Sequence, residues 1–521
     1  MKKSLLPLIL GGLLLLPAWS RDEDLWSAAE SKARAIADLL EQSYYKPLDE
    51  QALAVASIKG TLDTLDPHSY FLDPSSFSRM REDYTGKYYG VGMQIQKQGD
   101  AIVVIAPIEG GPSYRLGVQP GDVVAKIDGV STVPISSYDA MQKLRGEKDT
   151  KVTVTIVREG QPAFDLTIVR EEIPLLSVPY AFMLDDATGY IYVRNFGEET
   201  PRELEDNLAK LTGQGMKNLI LDLRLNTGGA LAASIEMSNL FLPKSSLIVS
   251  TKGRNTNFDR QFRAYADGPY EKLPLVILID QGTASASEIV SGAVMDHDRG
   301  LIVGEDSWGK GLVQQVFPLA SDMAVALTVA KYLTPSGRSI QRDYSQLDEY
   351  LMGKRAPETS REVFHTDHGR TVRGQGGITP DYAVDSTLKT ITGRLRLSGA
   401  FFSYARKLVQ HQTDLGRKMV FPQEPKPAGA DAAGKIQIGS AFAANADVVA
   451  DFRRCLASRD VKYDAKAFAE AETEIRREIE REAAGAIWGL ETGIKVARES
   501  DPVVLKAVEV LPEAARLLEL K

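Results

Sequence analysis

The chain of 521 residues has one cysteine, Cys455, and five histidines. A single thiol excludes an intrachain disulfide, and its place near the C-terminus excludes lipid attachment behind an N-terminal leader. No CxxC pair exists, and His68, His297, His365, His368 and His411 show no HExxH spacing. Neither a structural metal nor a cofactor is therefore expected. The chain also lacks a GxSxG elbow and a Gly-Asp-Ser-Gly-Gly run, two settings of a serine that works with histidine. Asp296-His297-Asp298 closes the helix that begins at Ser285, about 18 Å away by helix rise. It reads as a helix end, not as part of a triad. Gly304 to Lys310 fits GxxxxGK, but Gly311 stands where a phosphate-binding loop needs Ser or Thr, and Val313 to Phe317 reads as strand. Basic excess is missing too: the net charge of −8 argues against a nucleic-acid partner.

What is present suits a globular multidomain chain, 43% hydrophobic and 25% charged. Residues 1–20 stand apart. Lys2 and Lys3 precede an apolar run, Leu5 to Leu16, and Pro17-Ala18-Trp19-Ser20 follows. This is the pattern of a secretory signal peptide, and the run is short for a membrane-spanning anchor. The expected location is the periplasm or cell envelope.

Five regions follow from pattern. After the signal, residues 21–83 read as an N-terminal helical region, with Ala33, Ile36, Ala37 and Leu40 at helical spacing. Leu65-Asp-Pro-His68 breaks that pattern, and His68 reads as a turn residue packed locally. Residues 84–173 alternate short β-branched runs with glycine turns. Residues 174–385 alternate apolar strands (Tyr190 to Val193, Leu219 to Leu223, Leu275 to Ile279, Leu301 to Val303) with helical stretches. That order predicts βαβ units, with Gln314 to Phe317 and Met323 to Ala330 as antiparallel edges. Residues 386–521 return to helix, with one long stretch over Ala467 to Leu490, and Pro425 to Gly434 reads as a linker.

In residues 84–173, Gly90-Val91-Gly92-Met93 precedes the strand Gln94-Ile95. Ala106-Pro107, Ser113 to Val118, Pro120-Gly121-Asp122 and Ile127-Asp128-Gly129 follow, with a short helix over Ser137 to Leu144. In this order the segment resembles a PDZ domain. A glycine turn offers successive N–H groups to a terminal carboxylate, and the next edge strand can pair with an extended peptide. Met93 and Ile95 are expected to line a side-chain pocket.

The chemistry centres on Gly282-Thr-Ala-Ser285-Ala-Ser-Glu288 and Gly309-Lys310-Gly311 with Gln314. Ser285 stands after a strand at a helix start, where N–H groups favour developing negative charge. Serine needs a base. Lys310 serves only if neutral, and lowering its pKa from 10.4 to about 7 takes roughly 4.6 kcal/mol, which burial can supply. Trp308 is placed to exclude water. These two segments are similar to the catalytic region of the C-terminal processing peptidases, the tail-specific proteases. Leu221 to Gly229, Tyr332 to Gln341, Gly377 to Asp381 and Leu65 to Ser69 extend the likeness over about residues 30–385.

The resemblance implies an α/β protease core of the crotonase/ClpP-like type with an inserted PDZ domain and helical N- and C-terminal regions. It implies Ser285 as nucleophile, Lys310 as base and Gln314 as the lysine's orienter. Ser287 is then a helix-start residue, and Glu288 matches a family glutamate of undefined role. An oxyanion hole is implied from the N–H of Ala286 and that of Gly228 or Gly229. The activity implied is serine endopeptidase action on proteins or peptides recognised by their free C-termini. Arg145, ending the PDZ helix, is expected to contact the protease body as a gate. The terminal helices suggest a homodimer or a platform for an adaptor protein. One departure stands out: Arg342 to Gly376 intervenes where the family often runs straight on. It reads as a lid, a surface excursion or a docking loop.

Overall fold

The computed structural model describes residues 25–320, 322–421, 429–430, 436–437, 442–458 and 461–520. The signal segment and most of the expected linker lie outside them. Residues up to Leu65 form one compact unit and Asp66 onward a second. The first consists of helices Leu25–Ser43 and Glu50–Leu62, the latter N-capped by Asp49.

In the second unit the core is a six-stranded sheet. Its order is Tyr180–Met183, Thr188–Tyr192, Asn218–Asp222, Leu275–Ile279, Leu301–Gly304 and Tyr382–Ala383. All pairings but the first are parallel. Leu275–Ile279 is buried at every residue, as expected of a strand covered on both faces. One face packs on helices Thr200–Gly213, Leu231–Asn239 and Ala286–Asp296. The other is covered by the C-terminal helix Pro502–Leu517, through Val503, Val504, Ala507, Val510, Leu511 and Ala514. Each of the valine and leucine side chains contributes about 1.5–3 kcal/mol where fully buried.

The strands expected at the edges of this sheet form a separate one. Leu312–Ala320 and Met323–Leu333 pair as a hairpin, and the latter also pairs with Leu247–Gly253 and Tyr70–Leu72. Tyr70–Leu72 is a strand within the region expected to be helical. Three residues are too few to show an alternation. The expected long helix over Ala467 to Leu490 is divided: Ala465–Glu470, Glu472–Trp488, then Leu490–Glu499 after Gly489 at φ +97°.

Residues 93–169 form a six-stranded antiparallel module around Ile102, Val104, Val124, Val154 and Ile168. Its helix Ser137–Leu144 starts on a capping box between Ser136 and Asp139. This module sits against helix Pro74–Thr85, N-capped by Asp73 and ended by Gly86 at φ +68°. Ser75 Oγ meets Tyr138 OH at 3.1 Å, and Arg79 lies over the Tyr138 ring.

Candidate active site

Ser285 follows the buried strand Leu275–Ile279 and caps helix Ala286–Asp296 with φ +57° and ψ −116°. A non-glycine residue there is strained by about 1–3 kcal/mol, and such strain concentrates where a side chain must be presented. Ser285 and Lys310 line one open cleft of about 1400 Å³, together with Gly228, Gly229, Ala286 and Gln314. The cleft's far wall is helix Pro74–Thr85 and the segment leading to the β-rich module, including Glu82 and Tyr88.

The turn at 226–229 is tied to the serine turn. Asn226 O accepts from Ala284 N (3.0 Å) and Ser287 Oγ (2.9 Å), and Thr283 Oγ1 donates to Leu223 O (2.9 Å). Ser287 is thereby a structural helix-start residue. A Cβ on Gly228 would lie 2.8 Å from Ala286 N and from Ser285 Cβ, so only glycine allows this approach. The N–H of Gly228 donates to Asn226 Oδ1 (2.9 Å). The Gly228 carbonyl accepts from Phe196 N (3.0 Å), so the trans peptide turns the Gly229 N–H away from Phe196.

Glu288 is fully buried between the two candidate catalytic segments. Oε2 accepts from Ser285 N (2.8 Å) and Lys310 N (2.9 Å). Oε1 accepts from Gly309 N (2.6 Å) and Ser307 Oγ (2.5 Å). Burial raises its pKa to about 6 against these bonds. The hydroxyl of buried Tyr332 donates to Lys310 O (2.6 Å) and lies 3.2 Å from Ser285 O. One carboxylate and one phenol thus staple the backbones of residues 285 and 310. The sequence offered Glu288 only as a match of unclear role, and Tyr332 only as part of a motif.

Burial lowers the pKa of Lys310, while the charges of Glu288 and Asp66 oppose the shift. Gln314 lines the same cleft. Its Nε2 donates to Thr328 Oγ1 (3.2 Å), which donates to Asp66 Oδ1 (3.0 Å), so the amide oxygen is the group left to meet the lysine. Asp66 also accepts from Ser69 Oγ (2.8 Å) and His68 N (2.8 Å). His68 is not packed locally: its Nε2 lies 2.7 Å from Tyr350 OH, 282 residues on. Burial, with the nearby Lys310 charge, lowers its pKa to about 4.

In the β-rich module the carbonyls of Val91 and Gly92 accept from Ser113 N (3.0 Å) and Ile108 N (2.9 Å). The following N–H groups, of Gly92 and Met93, therefore point away from that loop. Val91 and Met93 are buried in the module's core with Ala140 and Leu144, and Ile95 is half-buried against it. Gly90 ends a strand, Lys87–Gly90, paired with Glu171–Pro174. Arg145 forms an ion pair with Glu82 and stacks over the Tyr88 ring at 4.3 Å. Its contact is therefore with the far wall of the cleft.

Residues 187–350 match the family described as peptidase family S41, and residues 80–157 match the PDZ domain. A carboxy-terminal-processing protease of Bartonella bacilliformis is 39% identical over 298 residues, covering 56% of this chain and 68% of the relative. The chain belongs to peptidase family S41. A carboxyl-terminal-processing protease of Synechocystis sp. is 37% identical over 58% of this chain and 72% of its own. Among solved structures, one described as the photosystem II D1 C-terminal processing protease is 27% identical. It covers 68% of this chain and 92% of that one, with a TM-score of 0.37. The S41 core carries an inserted PDZ domain and a helical C-terminal region.

Proposed function

We propose that this S41 peptidase is an exported C-terminal processing endopeptidase with a Ser285–Lys310 dyad. The observation that carries the reading is Glu288, whose carboxylate binds the amides of both residues beside one shared cleft. Ser285 Oγ attacks the scissile carbonyl carbon while Lys310 Nζ takes the hydroxyl proton. The oxyanion is held by the N–H groups of Ala286 and Gly229, since that of Gly228 is engaged by Asn226. Two such donors contribute several kcal/mol in the transition state. Collapse expels the amine, protonated by Lys310, and leaves an ester on Ser285. Water, deprotonated by Lys310, then releases the new C-terminus. Gln314 orients the lysine, its own amide held through Thr328 and Asp66.

The PDZ turn Gly90-Val91-Gly92-Met93 is read as the cradle for a substrate's C-terminal carboxylate, with the strand edge from Met93 to Ile95 pairing with the peptide. Arg145 links that module to Glu82 and Tyr88 in the cleft wall, which supports a gate set by peptide binding. The domain limits 1–20, 21–83, 84–173, 174–385 and 386–521 serve as working boundaries. The basic start and apolar run of residues 1–20 support export to the bacterial envelope. Homodimer formation or adaptor binding through the terminal helices is part of the same reading.

Cleavage of fluorescently labelled casein by the mature protein tests the dyad. Wild type is expected to cut, and Ser285→Ala and Lys310→Ala to lose at least about 1000-fold in rate. Equal rates in wild type and Ser285→Ala would remove the assignment.

A further inference from the structure

The segment Arg342 to Gly376 enters the structure as a buried anchor. Arg342 is 2% exposed and Tyr350 is 1% exposed. The Arg342 guanidinium lies 4.5 Å from the ring centres of both Trp308 and Tyr350. It donates to Trp308 O, to Tyr350 O (3.1 Å) and to Lys354 O (3.2 Å). The Arg342 backbone N–H donates to Gly309 O (3.0 Å). Arg355 donates to Ser307 O (2.5 Å) and Asp306 O (3.1 Å). The carbonyls of residues 306 to 309 are thus all bound by this segment, while Glu288 binds the amides of 309 and 310. A Cβ on Gly309, at φ +86°, would lie 2.6 Å from Arg342 Cγ, so the two segments meet this closely only through glycine. A lid would have to withdraw a buried, stacked guanidinium to open.

Resting on the Ser–Lys reading, we propose that Arg342 to Arg355 is a brace that positions Lys310, with Arg342 and Tyr350 as its positioning residues. The brace also orders the ring behind the lysine. Trp308 Nε1 can only donate, and it meets Tyr350 OH at 3.1 Å. His68 Nε2 lies 2.7 Å from the same hydroxyl, and burial keeps that ring neutral at pH 7. A neutral ring adds no charge beside the lysine, in keeping with the downward shift of His68.

The groups facing Lys310 are Glu288 and Tyr332 from the protease core, Asp66 and His68 from the early turn, and the Trp308–Tyr350–Arg342 stack behind its loop. Glu288 and Asp66 favour the ammonium form, and burial outweighs them. Loosening the brace admits water and weakens the burial effect, so Lys310 keeps its proton to higher pH. The same exposure moves Glu288 the other way, because water favours its carboxylate. An upward shift is therefore the signature of the lysine.

The test uses the full mature protein with Arg342→Ala and Tyr350→Phe, the second keeping the ring's packing. Acylation of Lys310 by acetic anhydride, followed by mass spectrometry across pH, reads the lysine's ionisation without any substrate. The midpoint is expected to rise by about one unit in Arg342→Ala and by less in Tyr350→Phe. The acid limb of casein cleavage should rise with it, and activity should recover at high pH. Circular dichroism and melting establish that each variant is folded; if Arg342→Ala is not, Tyr350→Phe decides. An unmoved midpoint in a folded variant, or a uniform loss of rate at every pH, overturns the brace. Full casein cleavage by Lys310→Ala would instead defeat the dyad, and the acylation midpoint still reports on the brace.

Discussion

Ser285 is held largely by its own stretch of chain and one adjoining turn, whereas Lys310 is held by groups drawn from distant segments. On the serine side, strand Leu275–Ile279, the turn through Gly282 and helix Ala286–Asp296 follow each other directly, and Asn226 of the adjoining turn receives both Ala284 N and Ser287 Oγ. On the lysine side, the loop's amides go to Glu288, its carbonyls to Arg342, Arg355 and Tyr332, and the stack behind it reaches His68. The serine's geometry is set by backbone strain that a local turn stores. The lysine's chemistry depends on burial, and burial takes several pieces of chain.

Breaking the serine side has the largest expected effect. Gly229→Ala would place a Cβ 2.1 Å from Phe196 O and shift the turn proposed to offer the oxyanion its second donor. Loss of one such donor is worth about 100- to 1000-fold in kcat. Casein turnover should fall by that much, with a lower melting temperature.

Glu288→Gln comes next and touches both sides. The swap keeps the volume but sets an NH2 group against N–H donors that now share a carboxylate, so the staple fails on one arm. Displacement of the dyad should cost about 100-fold in kcat with KM little changed. The same variant carries a pH signature. Glu288 binds its proton more tightly folded than unfolded, so stability falls as pH rises from 4.5 to about 6. A shift of that size is worth about 2 kcal/mol. Melting temperatures measured across this window should fall less steeply in Glu288→Gln than in wild type.

Arg145→Ala is the mildest. It removes the tie between the PDZ helix and the cleft wall, an ion pair whose partners are both partly buried. Stimulation of casein cleavage by a peptide with a free C-terminus should shrink by a few-fold, an effect of the order of 1 kcal/mol. Intact stimulation would detach the PDZ module from the gate.

The same contrast governs what the sequence made legible. Strands such as Leu275–Ile279 and the helix Ser137–Leu144 were readable because apolar runs and cap residues are local signals. The serine turn was readable for the same reason. Tyr70–Leu72 was not, since it owes its place to pairing with Ala324 to Ala326 far along the chain. Nor could periodicity say that helix Pro502–Leu517 covers the central sheet, because an apolar stripe does not name its partner. Glu288 and Tyr350 were opaque in the same sense: their value lies in contacts 22 and 282 residues away. Thr328 was opaque too: it links Gln314 Nε2 to Asp66, a residue 262 positions away.

The most direct measurement is the rate at which a fluorophosphonate modifies the protein across pH, located by mass spectrometry, in wild type and in Lys310→Ala. Modification of Ser285 in wild type should accelerate as Lys310 loses its proton. A positioned general base is worth about 100- to 10,000-fold, so Lys310→Ala should react more slowly by at least the lower figure. Equal rates in the two proteins, or modification at a different serine, would contradict the Ser285–Lys310 dyad.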